Sequence, residues 1–171
     1  VLPDESPIEC VERLARAKAA VIAETDPDAL VIGADTIVVI DDRILNKPAD
    51  TAEALSMLRR LRGRTHQVHT AVCIAWGERV VSGVETVRVR FRAMTDADLL
   101  AYIATGEPMD KAGAYGIQGY GATIVDRIEG DFFAVMGLPL VRLVALLREV
   151  GVTYEFGTLA VAAIPGTHHP A

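Results

Sequence analysis

The chain has 171 residues and a mass of 18.3 kDa, the size of one compact domain and too small for a multidomain machine. With 51% hydrophobic and 23% charged residues it can bury a core and lacks the composition of a disordered chain. Its 17 Lys and Arg against 23 Asp and Glu leave a formal charge of −6, which argues against a nucleic acid polymer as partner but leaves room for a small phosphorylated substrate held by local cations.

In chain order, Pro7 to Glu24 reads as a helix, with Ile8, Val11, Leu14, Ala15 and Lys18 at three- and four-residue spacing and Asp26-Pro27-Asp28 as the stop. Two β-rich runs follow, Ala29–Ile32 and Thr36–Ile40, read as one strand interrupted at Gly33-Ala34-Asp35. A turn at Asp41-Asp42 leads into Arg43–Pro48. Asp50 and Glu53 open a helix with Ala54, Leu55, Leu58 and Leu61 as its apolar stripe, ending near Gly63. Thr70–Trp76 and Val80–Arg92 read as strands around a Gly77-Glu78 turn. Thr95 and Asp98 cap a helix that stops at Gly106, and a glycine-rich stretch spans Gly113 to Gly121. Ala122–Val125 and Phe132–Val135 read as strands around Glu129-Gly130, and Leu138-Pro139 opens a last helix that Gly151 follows. Residues 1–153 make one domain, and Tyr154 to Ala171 a loose or surface-laid tail. The expected architecture is α/β: a mixed twisted sheet with β-hairpin insertions and helices on both faces.

Cys10 and Cys73 stand far apart with no CxxC, which suggests two reduced, buried thiols of a cytoplasmic protein. No apolar run reaches the roughly 18–20 residues that a membrane span needs. His66 and His69 fall on opposite faces of an extended chain, so they do not form a metal pair.

Asp35 is the first candidate for chemistry, because a carboxylate among Leu30, Val31, Ile32, Ile37, Val38 and Val39 needs a partner or a cleft; a turn or cap role is the plainer alternative. Lys47 is the second, held by the rigid Pro48, with a hairpin able to return it toward Asp35; alone, such a lysine is ordinarily a surface charge. The third is the run from Glu107 to Gly119, where glycines permit close backbone approach, Lys111 can meet phosphate, and Gln118 offers a donor and an acceptor to a base or sugar. A tight structural loop with Lys111 paired to Asp110 or Glu107 is its alternative. The Arg88, Arg90, Arg92 face of a strand is either solvated or a partner surface, the latter fitting an α/β interaction module that binds no nucleotide.

Taken together, Leu14-Ala15-Arg16-Ala17-Lys18-Ala19, Gly33-Ala34-Asp35-Thr36-Ile37-Val38, Lys47-Pro48, Leu61-Arg62-Gly63 through Thr65-His66-Gln67-Val68 to Thr70, the Glu107–Gly119 run and Gly137-Leu138-Pro139-Leu140 resemble the Maf-like family of nucleoside triphosphate pyrophosphatases. The resemblance covers Glu5 to about Val150. It implies a Maf/inosine-triphosphatase-like fold and a hydrolase that splits a nucleoside triphosphate into monophosphate and pyrophosphate. It also implies a divalent metal, Mg²⁺ with Mn²⁺ as an alternative, and, dimers being common in the family, leaves a homodimer open; the cytoplasmic location is expected from the cysteines and the lack of a membrane span. By that resemblance Asp35 is the proton acceptor and a metal ligand, and Lys18 and Lys47 face the phosphates. Thr36 and Gln118 match positions linked to substrate choice, in the form seen in the branch acting on dTTP and UTP. The family's opening strand and its Ser-x-Ser-Pro-Arg-Arg loop have no counterpart from Val1 onward, so this chain is expected to lack an N-terminal segment. Family members are also connected with septum formation, so a nucleotide-binding regulator of cell division with little catalysis is the second reading.

Overall fold

The computed structural model describes residues 2–161. Ser6 accepts a hydrogen bond from Glu9 N–H while the Glu9 carboxylate returns to the Ser6 backbone, and this capping box starts α1 (Pro7–Ala23). Next come β1 (Val31–Ile40), β2 (Arg43–Leu45), α2 (Thr51–Leu61), β3 (Thr65–Trp76), β4 (Arg79–Phe91) and α3 (Asp96–Ala104). Three short 3-10 turns, Glu107–Asp110, Ala112–Ala114 and Gly119–Thr123, then lead into β5 (Val125–Glu129), α4 (Phe132–Met136) and α5 (Leu140–Glu149). The hairpin of β6 (Val152–Tyr154) and β7 (Leu159–Val161) crosses the 153/154 boundary expected from sequence; the remainder of the tail lies outside the described residues.

The α/β architecture with helices on both faces is present. The main sheet has the order β2-β1-β3-β4-β5, and every pairing in it is antiparallel, which corrects the expectation of a mixed sheet. Short hairpins join β1 to β2 and β3 to β4, and such connections can only produce antiparallel neighbours. Asp41 and Asp42 both take positive φ, 51° and 56°, the pattern of a two-residue turn whose twist suits a hairpin.

Strand alternation divides the core. Ile37, Val39, Ala71, Cys73 and Ala75 pack under Val11, Ala15 and Ala19 of α1. On the opposite face Val38, Val68, Val87, Val89 and Phe91 meet α2 and α3, and Val72 and Ile74 meet Leu146 and Leu147 of α5.

Four local expectations need correction. β1 runs unbroken through Gly33-Ala34-Asp35, which pair in register with Cys73, Val72 and Ala71. Gly33 is there for close packing: a Cβ on it would lie 2.5 Å from the Ala15 carbonyl oxygen and 2.7 Å from Ala19 N. β3 begins at Thr65 rather than Thr70, because His66 Nε2 and His69 Nδ1 find hydroxyl partners in Tyr115 and Thr86 and the two rings are so tolerated inside, although His66 Nδ1 is buried without a partner among the described residues. The stretch before β5 is a 3-10 turn rather than a strand. Phe132–Met136 is a helix, capped at its start by Asp131 and closed by Gly137 at φ 107°.

Candidate active site

β2 covers only Val38, Val39 and Ile40 of β1, so among the described residues the outer edge of β1 from Val31 to Ile37 has no strand partner. A cleft of about 530 Å³ opens along that edge. Its walls are α1, the segment after β2, the glycine-bearing run after α3, and the end of α4.

Asp35 points to the α1 side of β1, where α1 lies close because Gly33 carries no side chain. Lys18, one residue before the Ala19 that touches Gly33, therefore stands over the acid. Its Nζ donates to Asp35 Oδ1 at 2.5 Å and to the Ala34 carbonyl oxygen at 3.1 Å. The Asp35 side chain is 16% exposed and that of Lys18 57%. The second oxygen of Asp35 has no hydrogen-bond partner among the described residues.

Lys47 enters the cleft from the segment after the hairpin, beside the buried Pro48, and forms no ion pair among the described residues. Lys111 also lines the cleft, but its ammonium already donates to Asp110 Oδ1 at 2.6 Å and to the Glu107 carbonyl oxygen at 3.0 Å. That pair holds the Asp110 carboxyl below its usual range.

Thr36 faces away from Asp35 because successive side chains on a strand alternate. Its hydroxyl lies 2.9 Å from that of its cross-strand neighbour Thr70. Gln118 sits exposed at the rim, its amide without a hydrogen bond to the described chain.

The sequence offered Glu107 as part of a loop and as one of two ion-pair partners for Lys111; Asp110 takes that pairing, and the Glu107 carboxylate holds the loop instead. Oε1 accepts from Tyr102 O–H and Gly121 N–H, and Oε2 from Tyr120 N–H, at 2.8 to 2.9 Å. Partial burial raises its pKa, yet these hydrogen bonds outweigh the burial and hold it below the ordinary value. One carboxylate thus ties both ends of the run that carries Gln118. Gly121 is required beside it, since a Cβ there would lie 2.0 Å from the Gly116 carbonyl oxygen. Tyr115, in edge-to-face contact with Phe91 and His66, pins the middle of the same run to the core. Burial of His66 lowers its pKa to about 4. Tyr102 carried no sequence signal that set it apart from a core residue, and Thr70 and Tyr115 stood out only as members of the segments that carry the family resemblance. The contribution of Met136 and Gly137 to the cleft was hidden by the misread strand at Phe132–Val135.

The arginine face of β4 is internally paired: Arg88 with Glu129, Arg90 with Asp126, and Arg92 with the Thr123 and Ala93 carbonyl oxygens.

An antiparallel α/β domain with a cleft that gathers lysines, a half-buried carboxylate and a tethered glycine-rich loop has the construction of an anion-binding enzyme site. The Maf-like protein family matches residues 2–150, and the chain belongs to that family. A dTTP/UTP pyrophosphatase of Symbiobacterium thermophilum is 53% identical over 148 residues, covering 86% of this chain and 76% of the relative. Proteins of the same name from Escherichia coli and Aquifex aeolicus are 51% and 45% identical, over 90% and 88% of this chain and 78% of each relative.

Proposed function

We propose that this chain is a nucleoside triphosphate pyrophosphatase acting on dTTP and UTP, releasing the monophosphate and pyrophosphate. The observation that carries the proposal is the meeting of the Lys18–Asp35 pair and Lys47 in one cleft with the loop bearing Gln118. The names and the 45% to 53% identities of the relatives supply the substrate class.

Hydrolysis between the α and β phosphates needs a water stripped of its proton and cations against the charge that develops on pyrophosphate. In this reading the free oxygen of Asp35 takes the proton of the attacking water. Lys18 fixes the orientation of that carboxylate and, with Lys47, faces the phosphate chain. Lys111 adds a further cation at the wall, and Thr36 and Gln118 meet the nucleoside.

Among the described residues no group of three or more His, Cys, Asp or Glu side chains is arranged to hold a metal by itself. Mg²⁺ nevertheless suits this site, since it is commonly held by one or two carboxylates together with substrate phosphates, and Asp35 has an oxygen to offer. When bound, a divalent ion there supplies charge neutralisation on the phosphates and a more acidic water. Among the described residues no helix is long and apolar enough to cross a membrane. Both cysteines are buried free thiols, which suits the cytoplasm, and a homodimer remains part of the proposal.

Incubation with dTTP or UTP and Mg²⁺, followed by separate assays for pyrophosphate and orthophosphate, tests the function. Stoichiometric monophosphate and pyrophosphate are expected. Orthophosphate with the diphosphate would identify a different cleavage, and nucleotide binding without any product would favour the regulatory reading.

A further inference from the structure

Thr70 is fully buried in the middle of β3. Its Oγ1 lies 2.6 Å from the Ala134 carbonyl oxygen of α4 and 2.9 Å from Thr36 Oγ1. A carbonyl oxygen can only accept, so the single hydroxyl proton of Thr70 goes to Ala134. The proton between the two threonines must then come from Thr36. This leaves the Thr36 oxygen, at the cleft wall, with acceptor capacity alone.

We infer that Thr70 is a positioning residue for specificity: by consuming the proton of Thr36 it turns that hydroxyl into an obligate acceptor, which selects a hydrogen-bond donor on the nucleotide. The inference rests on the dTTP/UTP reading, and within it the donor is the imide N3–H of the base. Thymine and uracil both carry that N–H, whereas cytosine presents a lone pair at the same atom. A hydroxyl free to rotate would serve either base; a hydroxyl with its proton committed opposes cytosine, because two acceptors then face each other in a half-buried site. The relay runs from α4 through β3 to β1, so the choice of base is set partly by a helix terminus. The sugar hydroxyls are the other source of a donor, and the test separates them.

Thr70→Val suits a buried strand position and leaves the Ala134 carbonyl oxygen its hydrogen bond from Gly137 N–H at 3.0 Å. It frees the proton of Thr36. The UTP to CTP ratio of specificity constants is expected to narrow by at least ~10-fold in Thr70→Val and to return in Thr70→Ser, which restores the donor. Affinities for non-hydrolysable α,β-methylene triphosphates, measured by calorimetry, should show the same change of ratio without turnover. In the wild-type chain, uridine triphosphate methylated at N3 should lose at least ~10-fold, while 2′-deoxy and 3′-deoxy forms should not. That arm needs no variant and stands if Thr70→Val fails to fold. A ratio unchanged in Thr70→Val, or N3-methylation without effect, overturns the inference. A loss confined to the 3′-deoxy nucleotide overturns the choice of the base as donor. Wild-type binding of the analogues without hydrolysis of dTTP would remove the pyrophosphatase reading and leave this inference to be judged on the affinities.

Discussion

Lys18 Nζ and Asp35 Oδ1 are 2.5 Å apart, although 17 positions separate them in sequence and no hairpin joins them. The pair forms because α1 packs along the face of β1 that carries Gly33 and Asp35. Since Lys18 is largely exposed, the ion pair contributes little to folding, and its value is orientation. Asp35→Asn keeps the shape and removes the base. Turnover of dTTP is expected to fall at least ~10²-fold with the thermal midpoint nearly unchanged. Turnover close to that of the wild type would remove Asp35 from the mechanism.

Lys47 presents its charge to the cleft without an ion-pair partner among the described residues, in contrast to Lys111. Lys47→Met retains the aliphatic stem and removes the ammonium. The specificity constant for dTTP should drop at least ~10-fold, and more than in Lys111→Met, whose ammonium is already engaged by Asp110. Equal losses in the two variants would contradict that ranking.

Gln118 has its amide unengaged at the rim of the cleft. Gln118→Glu removes a donor and brings in an anion. It should therefore reduce dTTP and UTP turnover more than that of other triphosphates, read as a ratio of specificity constants. A uniform decrease would show that Gln118 does not meet the base.

Glu107 accepts three hydrogen bonds that close its own loop. Glu107→Ala leaves Tyr102 O–H, Tyr120 N–H and Gly121 N–H without an acceptor. Local opening should become easier by ~1–3 kcal/mol, visible as faster hydrogen exchange at Tyr120 and Gly121 with the amides of β3 still protected. KM for dTTP should rise with it. Unchanged exchange at both amides would show that the glycine turns hold the loop alone.

His66 supplies a pH dependence whose sign is definite. Its pKa is lowered from 6.5 to about 4 by burial. Below pH 6.5 the unfolded chain takes up a proton that the folded chain refuses until about pH 4, so stability declines as the pH falls through that window. Between about pH 7 and about pH 5 the contribution is ~2 kcal/mol. His66→Gln should remove most of that increment, measured by urea unfolding at the two pH values. Identical pH slopes for the two proteins would rule out the histidine as the source.

The sequence was most legible where one pattern served one purpose. The capping residues Asp50 and Thr95, the stripe of α2 and the Asp41-Asp42 turn sit where spacing places them. It was least legible where a residue served packing that the local sequence does not contain. Gly33 reads as a strand break and is a contact with α1. Phe132 to Val135 alternates in no informative way over so few residues, and Asp131 with Gly137 decides for a helix. The cleft's charged members were visible as residue types, but Lys111 carries the same signature as Lys47 and only the fold shows it paired. Thr70 looks like any β-branched strand residue until Ala134 is placed beside it.

The close approach of α1 to Gly33 also bears on how mutations in this chain would be read. With backbone atoms of the helix 2.5 and 2.7 Å from where a methyl would stand, even alanine at 33 must push α1 outward, and Lys18 travels with it. A survey scored on activity alone would then rank Gly33 with the charged residues of the cleft, although it has no group that can bind or react. The most restrictive position in this corner of the enzyme is one whose contribution is the absence of an atom, and loss of function there would leave every ionisable group intact.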